Sequence, residues 1–241
     1  MATDYLRRGL LAGLAGGLVH GAYVAFVGNN LIAVAEGFEQ GHSHGGAAVS
    51  EATTTAVSIG AGVLWGVLFG ILVFGVGYYL LEPLLPGGEG TRSYLLGAAG
   101  FVTASGAPWL VLPPVAPGVE QSLPTGTRTA WYVGMMALGA LACGGAVLAY
   151  RRLADRRRAV ALAGAAVPFA LLAVPVALAP ANPLHGHVPA ALATTFRAVV
   201  VAGQLILWGA LAASHAWLVG RTDEAPRLDA DRAERSAHHA G

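Results

Sequence analysis

A short polar stretch between two long apolar runs, residues 36–46, holds the densest set of metal-ligand atoms in the first half of the chain. Glu36 and Glu39 are three residues apart and share a face if the preceding helix reaches them. His42 and His44 form a His-x-His pair whose rings point the same way on an extended backbone. Carboxylates and neutral imidazoles suit borderline divalent ions such as Co²⁺, Ni²⁺ and Zn²⁺. The stretch predicts a metal-capturing loop, with a merely hydrophilic loop as the alternative.

A second His-x-His pair, His185 and His187, lies in a later polar loop that begins with Asn182 and Pro183. If both loops lie on one side of a membrane, the two pairs could together supply four imidazoles. Chance placement explains two such pairs less well than one. We therefore take His185 and His187 as candidate metal ligands, the alternative being a proline-rich turn whose histidines cap the backbone or face water.

Polar side chains inside the apolar runs form a third set of candidates. His20 lies near the middle of the first run, and Gln204 and His215 lie in the last. Polar groups are expensive in lipid, so they usually face the interior of a helix bundle and often mark an ion path. Imidazole exchanges protons and metal ions, which favours His20 and His215 as weak metal sites. Asn29, Asn30 and Gln204 fit interhelical hydrogen bonding equally well.

Charged residues in or beside the polar loops have a simpler interpretation. Arg128 and Arg197 can snorkel to the membrane interface. Ion pairs with Glu36, Glu39 or Glu120 would then make these arginines structural groups.

The composition places all these candidates in a membrane protein. Of 241 residues, 55% are hydrophobic and 11% are charged, with a mean hydropathy of +0.60, whereas soluble domains are about 25% charged. The net charge of +1 gives no electrostatic basis for binding nucleic acid. The single cysteine, Cys143, excludes an intramolecular disulfide and a thiolate cluster. No Walker loop or hydrolase motif is present, so neither an enzyme nor a bound cofactor is predicted.

Six apolar runs are long enough to cross a hydrocarbon core about 30 Å thick. They are continuous rather than alternating, so the predicted fold class is an all-α integral membrane protein, a bundle of about six transmembrane helices. The third run has the least margin, because Thr103, Ser105 and Pro108 interrupt it. The predicted transmembrane domain is 1–220, with spans at about 10–34, 56–81, 94–112, 130–150, 159–178 and 189–218, followed by a disordered tail at 221–241.

The arginines predict the orientation of the bundle in the lipid bilayer. They precede the first run, separate the fourth from the fifth, and follow the sixth, whereas the loop after the fifth run has none before Arg197. We therefore predict a multi-pass plasma-membrane protein with an even number of spans and both termini in the cytoplasm. This arrangement places every arginine-rich segment on the cytoplasmic side. The loops 35–55, 113–129 and 179–188 then face outward, and both His-x-His pairs lie on the same side.

Glycines repeat every fourth residue in the first two runs. The repeat comprises Gly9, Gly13, Gly17 and Gly21, and then Gly62, Gly66 and Gly70. Four-residue spacing puts these glycines on one face of each helix, where the missing side chains let another backbone come close. We therefore expect tight helix packing.

The chain resembles the CbtA family of predicted cobalt transporter subunits. The end of the first run is similar to the family's Ala-Glu-x-x-Glu ending, a later loop resembles its proline-rich loop and Arg-Thr helix start, and the last run resembles its last span. The matching stretches are 34–39, 112–119, 126–132, 188–192, 196–197 and 204–208.

This resemblance implies membrane uptake of Co²⁺ linked to cobalamin synthesis, with a small single-span His-bearing partner subunit, CbtB. It also makes Glu36, Glu39, Arg128, Arg197 and Gln204 candidates for shared machinery. The two His-x-His pairs match no family position, so their metal role rests on their chemistry alone. We predict a transporter subunit whose outward-facing His/Glu loops capture Co²⁺. Nickel or another transition metal as the ion, a non-conducting metal-binding component, and a homo-oligomer stay open.

Overall fold

The computed structural model describes residues 2–39, 50–186 and 188–239, and for Glu36, Phe38, Glu39 and residues 222–239 it describes the backbone alone. The helices are α1 (Ala2–Tyr23), α2 (Asn29–Glu39), α3 (Glu51–Phe69), α4 (Tyr78–Leu81), α5 (Glu89–Phe101), α6 (Ala107–Trp109), α7 (Thr125–Arg152), α8 (Arg158–Ala170), α9 (Ala173–Leu178) and α10 (Ala190–His239). Among the described residues, three π-helical segments, π1 (Val24–Gly28), π2 (Gly70–Gly77) and π3 (Val102–Gly106), join α1 to α2, α3 to α4 and α5 to α6. The same residues contain two short strands, β1 (Glu120–Gln121) and β2 (Leu184–His185), which pair antiparallel.

Five helical stretches of the described chain are long and apolar enough to cross a membrane. They are Ala2–Ala35, Glu51–Leu81, Thr125–Arg152, Arg158–Leu178 and Ala190–Arg221. The prediction of an all-α, multi-pass membrane protein is therefore confirmed. The predicted span at 94–112 is not among the five, although residues 89–109 form one continuous helical rod. This rod carries the polar residues noted above, and its apolar content is correspondingly lower.

The glycine repeats bring α1 and α3 into direct backbone contact. Gly13 lies against Gly66, with 2.6 Å between an added Cβ and the Gly66 carbonyl oxygen, and Gly17 lies against Gly62 at 2.7 Å. There is no room for a side chain at either position, which confirms the tight packing expected from the four-residue spacing. Because higher numbers on α1 meet lower numbers on α3, the two helices run antiparallel.

The last helix, α10, also runs antiparallel to α1. Gly16 lies against Leu211, and one turn later His20 approaches Gly203. The rod that begins with α5 packs on another side of α10 and is also antiparallel to it. There Ser93 contacts His215 and Ser105 contacts Gln204. The rods of α1 and α5 therefore share one direction, and α3 and α10 share the other.

Two clusters of buried side chains hold the rods together. The larger lies between π2, α4, α5 and α10 and contains Phe74, Tyr78, Leu85, Leu96, Leu207, Trp208, Leu211 and Ala212. The smaller lies between α6, α7 and the break that separates α8 from α9, and it contains Ala107, Met135, Ala142 and Leu172. The fold is thus a core of four rods to which the α7–α9 hairpin is attached through π3 and α6.

A tyrosine of α7 donates to a backbone carbonyl of π3 that lacks its usual helical donor. Pro108 has no N–H, so the carbonyl of Ala104, four residues earlier, lacks its usual helical partner. The Tyr132 hydroxyl donates to this carbonyl at 2.7 Å. The break in one rod therefore becomes the attachment point for the next.

The loops separate into two groups at opposite ends of the bundle. At one end, the arginine end, Tyr5 donates to Glu82 at 2.7 Å, and Arg92 forms an ion pair with the same carboxylate at 3.3 Å. Arg151 donates to the Pro83 carbonyl at 3.4 Å there. The opposite end, the strand end, contains β1 and β2. Which end faces the cytoplasm stays a prediction from the arginines.

The helix α10 continues beyond its apolar part to His239. Arg221 lies over the Trp217 ring at 4.3 Å where that apolar part ends. The disorder predicted for residues 221–241 in solution stays a prediction.

Candidate functional site

Most of the predicted loop ligands lie beyond what the structure describes. His42, His44 and His187 are outside the described residues, and Glu36 and Glu39 are described by backbone alone. The helix α2 does extend to Glu39, which is the condition under which the two glutamates share a face. In the described part of the chain, no group of three or more His, Cys, Asp or Glu side chains comes together. The metal role of these residues therefore stays a prediction.

The structure places His185 in a contact between two loops at the strand end. Glu120 of β1 is the register partner of His185 in β2, and Gln121 is the partner of Leu184. We call this contact, residues 120–123 with residues 182–185, the loop clasp. It joins the loop that follows α6 to the loop that follows α9.

Side chains reinforce the loop clasp on both sides of the ladder. Asn182 donates to the Gln121 side-chain oxygen at 2.9 Å and accepts from the Leu123 backbone N–H at 3.1 Å. The Ser122 hydroxyl donates to the Pro183 carbonyl at 2.7 Å. These bonds hold the two loops in one register although about sixty residues separate them in sequence.

His20 lies between α1 and α10, half-buried, and it bonds to the backbone of α10. Its Nδ1 is 3.0 Å from the Gly203 carbonyl oxygen. A carbonyl only accepts, so Nδ1 carries the proton and the neutral ring has its lone pair on Nε2. Tyr23, one turn later, donates to the Val199 carbonyl at 2.9 Å.

Gly203 makes room for both rings. A Cβ at Gly203 would lie 3.0 Å from the Tyr23 ring and 3.4 Å from the His20 ring. Its neighbour Gln204 accepts a hydrogen bond from Ser105 of π3 at 3.2 Å. We call His20, Tyr23, Ser105 and Gln204 the polar layer. Two predicted candidates therefore meet α10 at neighbouring positions, His20 of α1 through the Gly203 carbonyl and Gln204 as a residue of α10 itself.

His215 is fully buried and lies towards the arginine end. Ser93 donates to the Glu89 carbonyl at 3.2 Å, so its oxygen is free to accept from His215 Nδ1 at 2.9 Å. The imidazole lies 5.2 Å from the Phe74 ring and 4.6 Å from the Tyr78 ring. Its Nε2 has no hydrogen-bond partner in the described structure. The ring therefore carries an available lone pair inside an aromatic pocket.

The two intramembrane histidines do not form one site. Their contacts on α10 are twelve positions apart, at Gly203 and at His215 itself. Twelve residues of helix correspond to about 18 Å. An ion could meet these imidazoles only one after the other.

The predicted arginine pairs with Glu120 are not formed in the described structure. Arg197 donates to the Pro114 carbonyl at 3.2 Å, and Arg128 donates to the Thr125 hydroxyl at 3.1 Å. Neither arginine forms an ion pair with the Glu120 carboxylate in the described part of the chain. The Glu36 and Glu39 side chains lie outside the description, and pairing with them stays a prediction.

Two sets of residues had no place in the predictions from sequence. One is the arginine-end network of Tyr5, Glu82 and Arg92, for which the charges on both sides of the short loop after α4 were an available signal. The other is Ser93 and Ser122, which orient the imidazoles of His215 and His185. A lone serine gives no signal in sequence, because its partner is more than sixty residues away in both cases.

A comparison with protein families matches this chain to a known family. The family is described as a probable cobalt transporter subunit (CbtA), and it matches residues 2–220, which cover the five candidate spans except for Arg221 at the end of the last. No curated protein and no solved structure matches the chain.

Proposed function

This chain belongs to the CbtA family of probable cobalt transporter subunits, and on that premise we propose that it is the multi-pass subunit of a system that takes up Co²⁺ across the plasma membrane. The family match over the whole bundle is the observation that carries this proposal. Neither a bound cofactor nor catalysis has a part in it. The divalent ion is the substrate.

The membrane topology of the proposal follows from the directions of the helices. Each crossing reverses the chain, so a last span antiparallel to the first requires an even number of crossings. Five crossings do not satisfy this condition, which supports residues 89–109 as the sixth. The arginines then favour a cytoplasmic arginine end and an outward-facing strand end.

The proposed ion path is a series of weak sites that the ion occupies one after another. Glu36, Glu39, His42 and His44 at the outward mouth would replace the first waters of the ion. His20 and Gln204 of the polar layer would receive it next. His215 would offer the last imidazole before release. Weak multiple sites suit conduction, because the ion must leave as well as enter.

The membrane potential is the simplest driving force. A potential of 100 mV is worth about 2.3 kcal/mol for each elementary charge, and therefore about twice that for a divalent cation. Inward movement towards a negative cytoplasm would need no nucleotide, in agreement with the absence of a Walker loop from the sequence.

A partner subunit is part of the proposal. The family description names a transporter subunit, and a CbtB-like single-span protein bearing histidines is the partner we propose. A homo-oligomer of the present chain is a further arrangement that reconstitution would reveal.

A non-conducting metal-binding component is the second candidate function. The observation that favours it is that no three ligand side chains converge in the described part of the chain. Uptake of Ni²⁺ in place of Co²⁺ is also open, because carboxylate and imidazole ligands suit both ions.

The test is Co²⁺ accumulation by lipid vesicles containing this chain, with and without a CbtB-like partner, under an inward-negative potential. A transporter accumulates Co²⁺ inside the vesicles, whereas a non-conducting component only binds it. Competition by Ni²⁺, Zn²⁺ and Mg²⁺ identifies the preferred ion. Binding without accumulation in every combination would reject the transport proposal.

The outward mouth has its own prediction. We expect the H42A/H44A double variant to take up Co²⁺ several-fold more slowly at limiting concentration, because capture by two imidazoles is lost. At saturating Co²⁺ the rate should recover. Unchanged kinetics at both concentrations would remove these histidines from the mechanism. A H238A/H239A variant in the tail is the control for a general loss of imidazoles.

A further inference from the structure

The loop clasp brings a carboxylate and an imidazole to the same face of a two-stranded ladder. Glu120 and His185 are direct register partners, and both are exposed. Directly opposite residues of an antiparallel pair have Cβ atoms about 4.5–5.5 Å apart. At that separation, both side chains can reach one ion. Sequence did not predict Glu120 as a metal ligand, because Glu120 and His185 are far apart along the chain.

The hydrogen bonds of Ser122 determine which nitrogen of His185 can bind a metal. The Ser122 hydroxyl has one proton, and the 2.7 Å bond to the Pro183 carbonyl uses it. The same oxygen is 3.3 Å from His185 Nδ1, so it can only accept there. The neutral ring therefore has its proton on Nδ1 and its lone pair on Nε2. Metal-binding histidines have this arrangement, with the second nitrogen bonded to an orienting group.

No described cation competes for the Glu120 carboxylate. Arg128 and Arg197 both have other partners, Arg128 at the Thr125 hydroxyl and Arg197 at the Pro114 carbonyl. The ion pair of Arg92 with Glu82 lies at the arginine end, away from Glu120. A free carboxylate opposite a correctly oriented imidazole is a mixed oxygen–nitrogen ligand pair.

We propose that Glu120 and His185 form a binding site for a borderline divalent transition ion at the loop clasp. Nε2 of His185 and the Glu120 carboxylate are its two protein ligands, and Ser122 is the positioning residue. Water completes the coordination shell. Imidazole with carboxylate selects Co²⁺, Ni²⁺ or Zn²⁺ over Mg²⁺ and Ca²⁺, which prefer oxygen ligands alone.

This site deepens the proposed function, on which its role in transport rests. Two protein ligands give a weak site, and a weak site at the outward face can pass its ion on. Binding itself needs no transport, so the two proposals can fail separately.

The test is equilibrium dialysis of radioactive Co²⁺ against the full-length chain in lipid nanodiscs. The H42A/H44A variant is the background, so that the first outward loop does not obscure the result. We expect E120Q and H185Q each to reduce the bound Co²⁺ by about one ion per chain at a concentration that fills the clasp site, because a protein ligand is lost. Ni²⁺ should displace this Co²⁺, whereas excess Mg²⁺ should not.

Ser122 provides a readout that a loss of structure alone would not give. We expect S122A to weaken Co²⁺ binding about tenfold, because it removes the orienting partner of a metal ligand. S122T keeps the hydroxyl and should restore binding. Q121A is the matched control, since it removes one hydrogen bond between the same two loops but leaves the ligand pair intact.

Three outcomes are decisive. Unchanged Co²⁺ binding in both E120Q and H185Q overturns the site. Equal losses in S122A and Q121A overturn the positioning role, because loosening of the loops would then explain both. Normal clasp binding without Co²⁺ accumulation, both with and without the CbtB-like partner, rejects the proposed function and leaves the site in place.

Discussion

At the residue scale, the polar layer depends on the hydrogen atom that Gly203 has in place of a side chain. The rings of His20 and Tyr23 both lie within van der Waals distance of the position where a Cβ would be. Both rings also bond to α10 carbonyls one turn apart, at Gly203 and Val199. A methyl group at this position would push the rings away from the bonds that orient them.

We therefore expect G203A to lower the stability of the chain by about 1–3 kcal/mol, the usual cost of overpacking, and to slow Co²⁺ uptake. G209A is the matched control on the same helix, because a Cβ at Gly209 has no neighbour within 4 Å. Thermal unfolding in detergent measures the first effect and vesicle uptake the second. If G203A and G209A behave alike in both assays, the position of the His20 ring beside Gly203 has no importance for function.

The candidate residues differ in how well sequence could predict them. His20 and His215 stand out because an imidazole in an apolar run is unusual. Their partners, the Gly203 carbonyl and the Ser93 hydroxyl, do not stand out, because they depend on the register between helices. The pairing of Glu120 with His185 was hidden for the same reason: it arises from a two-residue ladder between distant loops.

At the element scale, the contact between α1 and α3 is made by backbone atoms. An added Cβ at Gly17 would lie 2.7 Å from the Gly62 carbonyl oxygen and 2.8 Å from the Val63 Cα. Neither atom can rotate away, as the end of a flexible side chain could. The helices would have to separate along their whole interface, which would weaken the other glycine contacts as well.

We expect G17A to destabilise the chain by about 1–3 kcal/mol, as an overpacked core does. G60A on α3 is its control, since a Cβ there meets nothing within 4 Å. Chemical unfolding in mild detergent gives the comparison. A G17A variant as stable as G60A would show that the backbones are not in contact.

The element boundaries show where sequence patterns are insufficient. The rod of residues 89–109 begins at Glu89, whereas hydropathy predicted a start near Tyr94. Gly88 precedes this helix, and its polar first turn is still helical. The break between α8 and α9 at Leu171–Leu172 lies between Pro168 and Pro175, where backbone N–H donors are missing. Hydropathy predicts the lipid-facing middle of a span well and its polar or proline-containing ends poorly.

At the scale of the whole molecule, the decisive question is whether residues 89–109 cross the membrane. The antiparallel contacts of α10 with both α1 and α5 support a sixth crossing by these residues, which stays a prediction. Gly88 and Gly126 flank this rod and the loop after it, are exposed, and have no neighbour within 4 Å of an added Cβ. They are therefore suitable positions for a reporter cysteine.

We expect G126C to react with a membrane-impermeant maleimide in intact cells, and G88C to react only after the membrane is permeabilised. The native thiol is removed by C143A, and the variant without cysteine is the control. Labelling of both positions from the same side would mean that the 89–109 rod does not cross. Labelling of G88C alone in intact cells would invert the proposed orientation.

Sequence predicted an all-α membrane protein because long apolar runs have a direct physical cause in the lipid bilayer. The orientation that the arginines favour stays a prediction. Sequence could not predict that the helices form a core of four rods with an attached hairpin. That arrangement depends on Tyr132, which reaches the carbonyl left unpaired by Pro108. Such a bond between two rods is invisible in the hydropathy of either one.

The loop clasp also has a consequence for how the protein is made. Its two strands are separated in sequence by α7, α8 and α9. During synthesis, the loop containing Glu120 emerges first and has no strand partner until the whole hairpin has been inserted and residue 185 has followed it. The clasp is therefore a late contact, and the strand end cannot be completed before residues 184–185 have been synthesised.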